Sequence, residues 1–352
     1  MEKLLNNKVI LVTGGTGSFG KKFIRMTLEK YSPKKLIVFS RDEMKQWDML
    51  HEFRSYDKKS VLRYFIGDVR DRDRLNLAFQ EVDYVVHAAA TKIVPTAEYN
   101  PFEAIKTNVL GAMNVIECAI AQKVKKVIAL STDKACNPVN LYGATKLCAD
   151  KLFVAGNAYA GAHDIRFAVV RYGNVQASRG SMIPFFMSQA ANGIITITDE
   201  RMTRFMITLE QAVGLVWEAL KTCIGGEIYV PKIPSMKVVD VARVVAPLAK
   251  HKIIGIRPGE KLHELMIGED DARYTYDYGD HFKILPMIYD WHNTTERIGS
   301  GKRCADGFSY TSSNNDRWMK PEELRAWLRK EYPQFDTFKP SIPSRFVRRV
   351  VK

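Results

Sequence analysis

The sequence predicts an α/β protein, a doubly wound parallel sheet followed by a smaller C-terminal lobe. Short apolar runs alternate with amphipathic stretches from Lys8 to about Val175, the pattern of a parallel sheet with right-handed crossovers. The runs are apolar on both faces, as strands covered by helices on each side must be. A glycine cluster, Gly14-Gly15-Thr16-Gly17-Ser18-Phe19-Gly20, stands where the first strand meets the first helix.

Taken in order, the strands fall at 9–13, 36–40, 63–66, 84–88, 127–131 and 167–172, and the helices at 21–30, 71–80, 101–122 and 141–159. After Val175 the units shorten to a helix at 183–192, a strand at 195–198, and helices at 209–221 and 238–250. Residues 289–315 read as irregular, and 321–331 as a helix opened by proline. This divides the chain into a nucleotide-binding domain at 1–175, to which part of the later chain returns, a substrate-binding lobe at 176–288, and an extension at 289–352. Open α/β sheets bind ligands outside the carboxyl ends of their strands, so the cleft between the lobes is the expected substrate site.

Glycines at 14, 17 and 20 let the chain turn tightly, approach a pyrophosphate and seat the helix on the sheet, as in a Rossmann fold. The helix N-terminus then offers N–H groups to the phosphates. At the end of the second strand, Ser40-Arg41 stands where an NAD enzyme places an acid for the ribose 2′-hydroxyl. An arginine there holds a 2′-phosphate, which favours NADP; the alternative is a solvated Arg41, with Asp42 taking the hydroxyl. Asp68, closing the third strand, sits beside the expected adenine site or caps the helix that follows.

Tyr142 and Lys146 lie four apart on one helix face, where a lysine charge lowers a phenol from its ordinary pKa of about 10 and makes it a usable base. Just upstream, Ser131-Thr132-Asp133-Lys134 occupies the carboxyl end of the fifth strand. A hydroxyl, a tyrosine and a lysine suffice for a simple dehydrogenase. The additional acid and base imply a second proton-transfer task, such as removing a proton beside a transient ketone while protonating a leaving hydroxyl; the alternative is a salt-bridged loop.

At 352 residues and 46% hydrophobic, the chain can bury a full core. Its net charge of +14 comes from basic residues spread among acids, with one tight run, RFVRRVVK at 345–352. No nucleic-acid recognition motif accompanies them, so an anionic substrate and a phosphorylated cofactor account for the cleft's share. The tail suits a neighbouring subunit or an acidic membrane surface. Five widely spaced cysteines without metal-ligand spacing read as free thiols, with no metal site. No apolar run approaches the roughly 20 residues of a membrane span, and a cytoplasmic location is expected.

The series GGTGSFG, SRDE, YFIGDVRD, HAAATK, STDKACNPVNLYGATK, RYGNV, SRGS, TRFMIT and RPGEKLHE, spanning Lys8 to Pro286, resembles the UDP-N-acetylglucosamine 4,6-dehydratases that invert carbon 5. These belong to the extended short-chain dehydrogenase/reductases. Tyrosine at 142 resembles the branch that begins pseudaminic acid synthesis; a sister branch carries methionine there. The resemblance implies NADP held by Gly14, Thr16, Gly17, Ser18, Phe19, Gly20, Ser40, Arg41, Asp68, Val69, Ala88, Ala89, Lys92, Tyr142 and Lys146. It implies that Tyr142, assisted by Lys146 and Thr132, takes the 4-hydroxyl proton, that Lys134 removes the carbon 5 proton, and that Asp133 protonates the departing 6-hydroxyl. Lys92, Asn174, Arg179 and Arg204 would meet the sugar and diphosphate, and Arg257 and Glu260 the phosphate and uridine side. Ile93 departs from the family's His or Gln, which bears on how the pocket reads the sugar. A homo-oligomer, with a hexamer as one form, is implied. A UDP-N-acetylhexosamine 4-epimerase would have no use for Asp133 and Lys134, and a non-catalytic NADP sensor or scaffold no need of them or of Tyr142 and Lys146.

Overall fold

The structure, a computed structural model, describes residues 4–176, 181–288, 294–332 and 335. They form two compact units. The first comprises Met1–Gly173, Ile207–Lys232 and Leu265–Thr311; the second comprises Asn174–Met206, Ile233–Glu264 and Ser312–Lys352.

In the first unit, strands β1 (Val9–Thr13), β2 (Lys35–Ser40), β3 (Leu62–Ile66), β4 (Tyr84–His87), β5 (Lys126–Leu130) and β6 (Arg166–Val170) pair in the parallel order β3-β2-β1-β4-β5-β6. Between them run helices α1 (Ser18–Lys30), α2 (Glu43–Phe53), α3 (Arg72–Ala78), α4 (Val94–Tyr99), α5 (Pro101–Ile105), α6 (Gly111–Ala121) and α7 (Leu141–Tyr159). All five residues of β1 are buried, as expected of a central strand covered on both faces. Caps mark where several helices begin: Asp42, Asp71 and Asn140 accept from the amides of Lys45, Arg74 and Gly143. Asp71, not Asp68, is therefore the cap of α3.

The later chain completes this sheet. Ile228–Pro231 adds in parallel to β6, and antiparallel strands His281–Ile284, Thr275–Asp277 and Lys302–Arg303 follow toward the edge. Helix Leu209–Thr222 opens with a Thr208–Gln211 capping box and brings Trp217 against Phe23 and Tyr31. The segment expected to form a substrate lobe at 176–288 is thus shared between the units. So is the expected extension: the described residues up to 311 join the sheet's unit and those from 312 onward the other.

The second unit holds a three-stranded sheet of Asn174–Val175, Thr203–Ile207 and Ser235–Lys237 over a core that includes Phe186, Ile195, Met206, Val241 and Leu324. The helix expected over 238–250 ends at Val245, because Pro247 lacks the N–H a continuing helix needs and restricts Ala246 before it. Lys250–Ile253 is a strand instead.

The helix expected over 101–122 is interrupted by a π-helical turn, Lys106–Leu110. Taken whole, Pro101–Ala121 has 21 residues and is long and apolar enough to cross a membrane, contrary to the sequence expectation, but half of its apolar stretch is buried within the protein. That burial is what a core helix requires.

Candidate active site

The site begins at the β1–α1 turn. Gly14 has φ +66°, and a Cβ there would stand 2.9 Å from the backbone of Ala88 and Ala89. A Cβ on Gly20 would stand 2.5 Å from the Gly15 carbonyl oxygen. The backbone is packed too closely for side chains at either position, and the α1 N-cap, Gly17, has none to occupy the helix end. Such a cradle fits a pyrophosphate at a helix N-terminus, bounded by Thr16, Ser18 and Phe19.

Thr13 organises the neighbouring strand end. Its hydroxyl accepts from the Ala88 and Ala89 amides at 3.2 and 3.3 Å and lies 2.8 Å from His87 Nδ1. Burial, helped by the Lys146 charge, pushes His87 down to about 3, so the imidazole is neutral and shares one hydrogen bond with the Thr13 hydroxyl, its direction set by the tautomer.

At the end of β2, Ser40 is buried and its hydroxyl accepts from Gln46. Arg41 is exposed, 3.8 Å from Asp68. Asp42 is committed to the α2 cap and to Lys45, which weakens the alternative that it serves a ribose. Asp68 accepts from the Arg70 amide and side chain. Val69 is buried against Gly111, and its carbonyl accepts from Asn114.

Lys92 lies in the exposed loop after β4, and Ile93 is the N-cap of α4. That loop is anchored by a residue the sequence reading missed. Asn108, turned by the π-helical segment, accepts from the Thr91 amide at 2.8 Å and donates to the Thr91 carbonyl at 2.9 Å and to Thr145 at 3.0 Å. An extra residue in a helical turn is a recurrent device at functional sites, but it leaves no periodic mark in the sequence.

The chemistry-bearing side chains meet where β5 and α7 adjoin. Thr132 caps a single 3₁₀ turn, Asp133–Ala135, accepting from the Lys134 amide. Its hydroxyl donates to Asp133 Oδ1 at 2.9 Å, and Lys134 Nζ donates to the same oxygen at 3.0 Å. Thr132 is also hydrogen-bonded to the Tyr142 phenol. Gly143 explains the glycine in YGATK: a methyl group there would overlap the Lys134 carbonyl, so α7 closes on the turn only without one. Lys134, Asp133, Thr132 and Tyr142 therefore form one connected chain of polar groups. Asp133 is fully buried, and Tyr142 and Lys146 nearly so.

The electrostatics differ from the sequence expectation in one respect. Burial pushes Tyr142 up to about 12; Lys134's charge and the Thr132 hydrogen bond pull it down, while Asp133 and Asp150 push it up. Lys134, on the neighbouring turn, is thus one lysine whose charge eases ionisation. Burial lowers Lys146 itself, against the opposing charge of Asp150. Sequence spacing identified the helix face but gave no measure of its desolvation.

The remaining candidates lie in the second unit, apart from Arg179, which falls outside the described residues. Asn174 Oδ1 is buried and accepts no hydrogen bond among the described residues. Arg257 and Glu260 pair with each other at 3.8 Å. Arg204 is buried and donates to the carbonyls of Thr203, Leu262 and Lys261, with Glu264 at 3.5 Å. Its guanidinium thereby braces the segment that carries Arg257 and Glu260.

Residues 10–286 match the family described as polysaccharide biosynthesis protein. The UDP-N-acetylglucosamine 4,6-dehydratase (inverting) of Campylobacter jejuni subsp. jejuni serotype O:23/36 (strain 81-176) is 54% identical over 328 residues, 91% of this chain and 97% of that protein. A UDP-glucose 4-epimerase of Rickettsia canadensis (strain McKiel) is 40% identical over 330 residues, 92% of this chain and 95% of that protein. Among solved structures, Pen from Bacillus thuringiensis superimposes with a TM-score of 0.85 at 40% identity, covering 94% of this chain and 99% of that one. The sheet order, the glycine cradle and these relatives agree: the chain belongs to the polysaccharide biosynthesis protein family, on a Rossmann-type fold and in the company of the inverting UDP-N-acetylglucosamine 4,6-dehydratases.

Proposed function

We propose that the chain is an NADP-dependent UDP-N-acetylglucosamine 4,6-dehydratase that inverts carbon 5. Its product would be UDP-2-acetamido-2,6-dideoxy-β-L-arabino-hexos-4-ulose, a first step toward pseudaminic acid. The observation that carries this reading is the Asp133–Lys134 couple, bonded through Thr132 to Tyr142. An enzyme that only oxidises and reduces carbon 4 needs Tyr142 and Lys146 but has no task for a buried acid–base couple beside them.

Bound NADP would supply reversible hydride acceptance, and the residues handle the protons. Tyr142 takes the 4-hydroxyl proton, and the resulting ketone acidifies the hydrogen on carbon 5. Moving one proton along the 3.0 Å Lys134 Nζ–Asp133 Oδ1 bond turns the ion pair into a neutral amine and a carboxylic acid. Lys134 is then ready to take the carbon 5 proton and Asp133 to protonate the leaving 6-hydroxyl, with no change in the net charge of the couple.

Lys92, Asn174, Arg179 and Arg204 are assigned to the sugar and diphosphate of the substrate, and Arg257 and Glu260 to its phosphate and uridine side. The exposed apolar side chains Tyr99, Phe102, Ile105 and Met113 support a homo-oligomer. A cytoplasmic setting, where NADP is supplied, fits the reading.

The test is incubation with UDP-N-acetylglucosamine in deuterated water. A product lighter by one water and labelled at carbon 5 is expected; an unlabelled product of unchanged mass would make the chain a 4-epimerase, the activity named for its Rickettsia relative. The NADP assignment has its own check. Arg41→Ala is expected to raise the KM for NADP about 10- to 100-fold, the worth of a charge-assisted hydrogen bond, with the KM for NAD nearly unchanged. Equal shifts for both cofactors would place 2′-phosphate recognition elsewhere.

A further inference from the structure

Behind Tyr142 and Lys146 lies a buried ion pair that the proposed reaction does not use. Asp150 follows Lys146 by one turn of α7 on the same face, and Arg171 follows β6. Asp150 Oδ2 accepts from Ser131 Oγ at 2.8 Å and from Arg171 Nη2 at 3.3 Å. Arg171 Nη1 donates to the Met266 carbonyl at 2.9 Å and stands 3.7 Å from Asp271. The side chains of Asp150 and Arg171 are 3% and 4% exposed. A pair this deep stabilises a fold little compared with well-packed apolar residues, because desolvation offsets its attraction. Its geometry supplies another use: it joins Ser131, one residue before Thr132, to the helix carrying Tyr142 and to the segment at Met266.

We propose that Asp150 and Arg171 are positioning residues of the active site, locking the Ser131–Lys134 turn to α7 and setting the field in which Tyr142 and Lys146 exchange protons. The inference rests on the dehydratase reading for its kinetic arm only. Several charged or titratable groups face this region. Lys134 and Asp133 face Tyr142 from the turn, with Tyr172 after β6; neutral His87 adjoins Lys146 from β4; Asp271 and Cys136 flank Arg171. Asp150 differs from the others in holding both members of the Tyr–Lys pair upward, because its negative charge disfavours the phenolate and favours the ammonium.

Asp150→Asn keeps the shape and removes the charge. Removing that charge is expected to move the Tyr142 and Lys146 titrations, and the kcat limbs they govern, to lower pH together, by about one unit. The KM for substrate should change less than threefold. Asp150→Glu should restore the limbs, and Arg171→Lys, which keeps the charge but not the fork, should lower kcat without moving them. A substrate-free measurement runs alongside. Tyrosinate absorbance at 295 nm, taken as the difference from Tyr142→Phe in each background, should show Tyr142 titrating at lower pH in Asp150→Asn. A Tyr142 titration that stays in place, whatever the melting temperature does, overturns the proposal. Failure of the parent protein to turn over UDP-N-acetylglucosamine would instead defeat the dehydratase reading and leave the 295 nm comparison to decide the pair. Limbs that move in Arg171→Lys would show that geometry rather than the Asp150 charge controls them, which also overturns it.

Discussion

Lys134→Ala is expected to lower dehydration by about 1,000-fold or more while leaving NADP affinity within about twofold. Removing a positioned general base costs about 100- to 10,000-fold. Here the loss is expected at the upper end, because the same substitution takes away the group that, in the proposed mechanism, would exchange a proton with Asp133 across 3.0 Å. Fully buried Asp133 would then lack the ammonium beside it, and its carboxyl would favour the protonated form. Acid would remain and base would be gone. The measurement is steady-state turnover together with deuterium uptake at carbon 5 in recovered sugar nucleotide, both expected to disappear. The glycine cradle is unaffected by the change, so a cofactor titration serves as the control. Normal turnover would remove Lys134 from the mechanism.

Tyr142→Phe is expected to reduce kcat by about 100- to 10,000-fold with the KM for substrate changed little, the signature of a group that acts on a proton in the transition state. The ring would keep its place among Ala97, Ala104 and its partly buried neighbours Val94 and Leu141, so the fold should persist. What is lost is the phenol bonded to Thr132 and polarised by Lys134. Because the carbon 5 hydrogen becomes acidic only once carbon 4 is a ketone, deuterium uptake should also vanish. A Tyr142→Phe protein that still exchanged carbon 5 with solvent would place the first proton acceptor elsewhere. In the chain alone burial holds the phenol up to about 12, so the activity of the parent protein should climb with pH on its acid side.

The central sheet was legible because β1, β2 and β4–β6 are runs of valine, isoleucine and leucine, and both the buried interior and the β-branched preference for strands demand that composition. The glycines at 14, 17 and 20 were equally readable, since only backbone clearance explains them at a strand–helix junction. The short strand Ile228–Pro231 was not. Four buried residues carry no periodicity that separates a strand from a loop, and its place is set by β6, a partner some 60 residues upstream. Helix 238–245 was overextended although Pro247 stood in view. In the site, Thr132, Asp133, Lys134, Tyr142 and Lys146 could be found because they lie close together in the chain. Asn108, Asp150 and Arg171 serve through contacts to residues 17, 19 and 95 positions away, and nothing local marks them. Arg204 was singled out by its motif position, TRFMIT, but the carbonyl groups it meets near residue 262 could not be read from the motif.

The nucleotide-binding sheet is assembled from three separate stretches of chain, and this bears on how the protein is made. When residue 173 leaves the ribosome, the outer flank of β6 still lacks its neighbour at Ile228–Pro231, and Phe23 lacks the cover of Trp217. The nascent intermediate therefore carries an open strand edge and an uncovered aromatic patch until translation has passed residue 231, features that invite aggregation in partly folded chains. A fragment cut after Gly173 would keep Gly14, Gly17 and Gly20 and the residues proposed to handle protons yet inherit that same sticky flank.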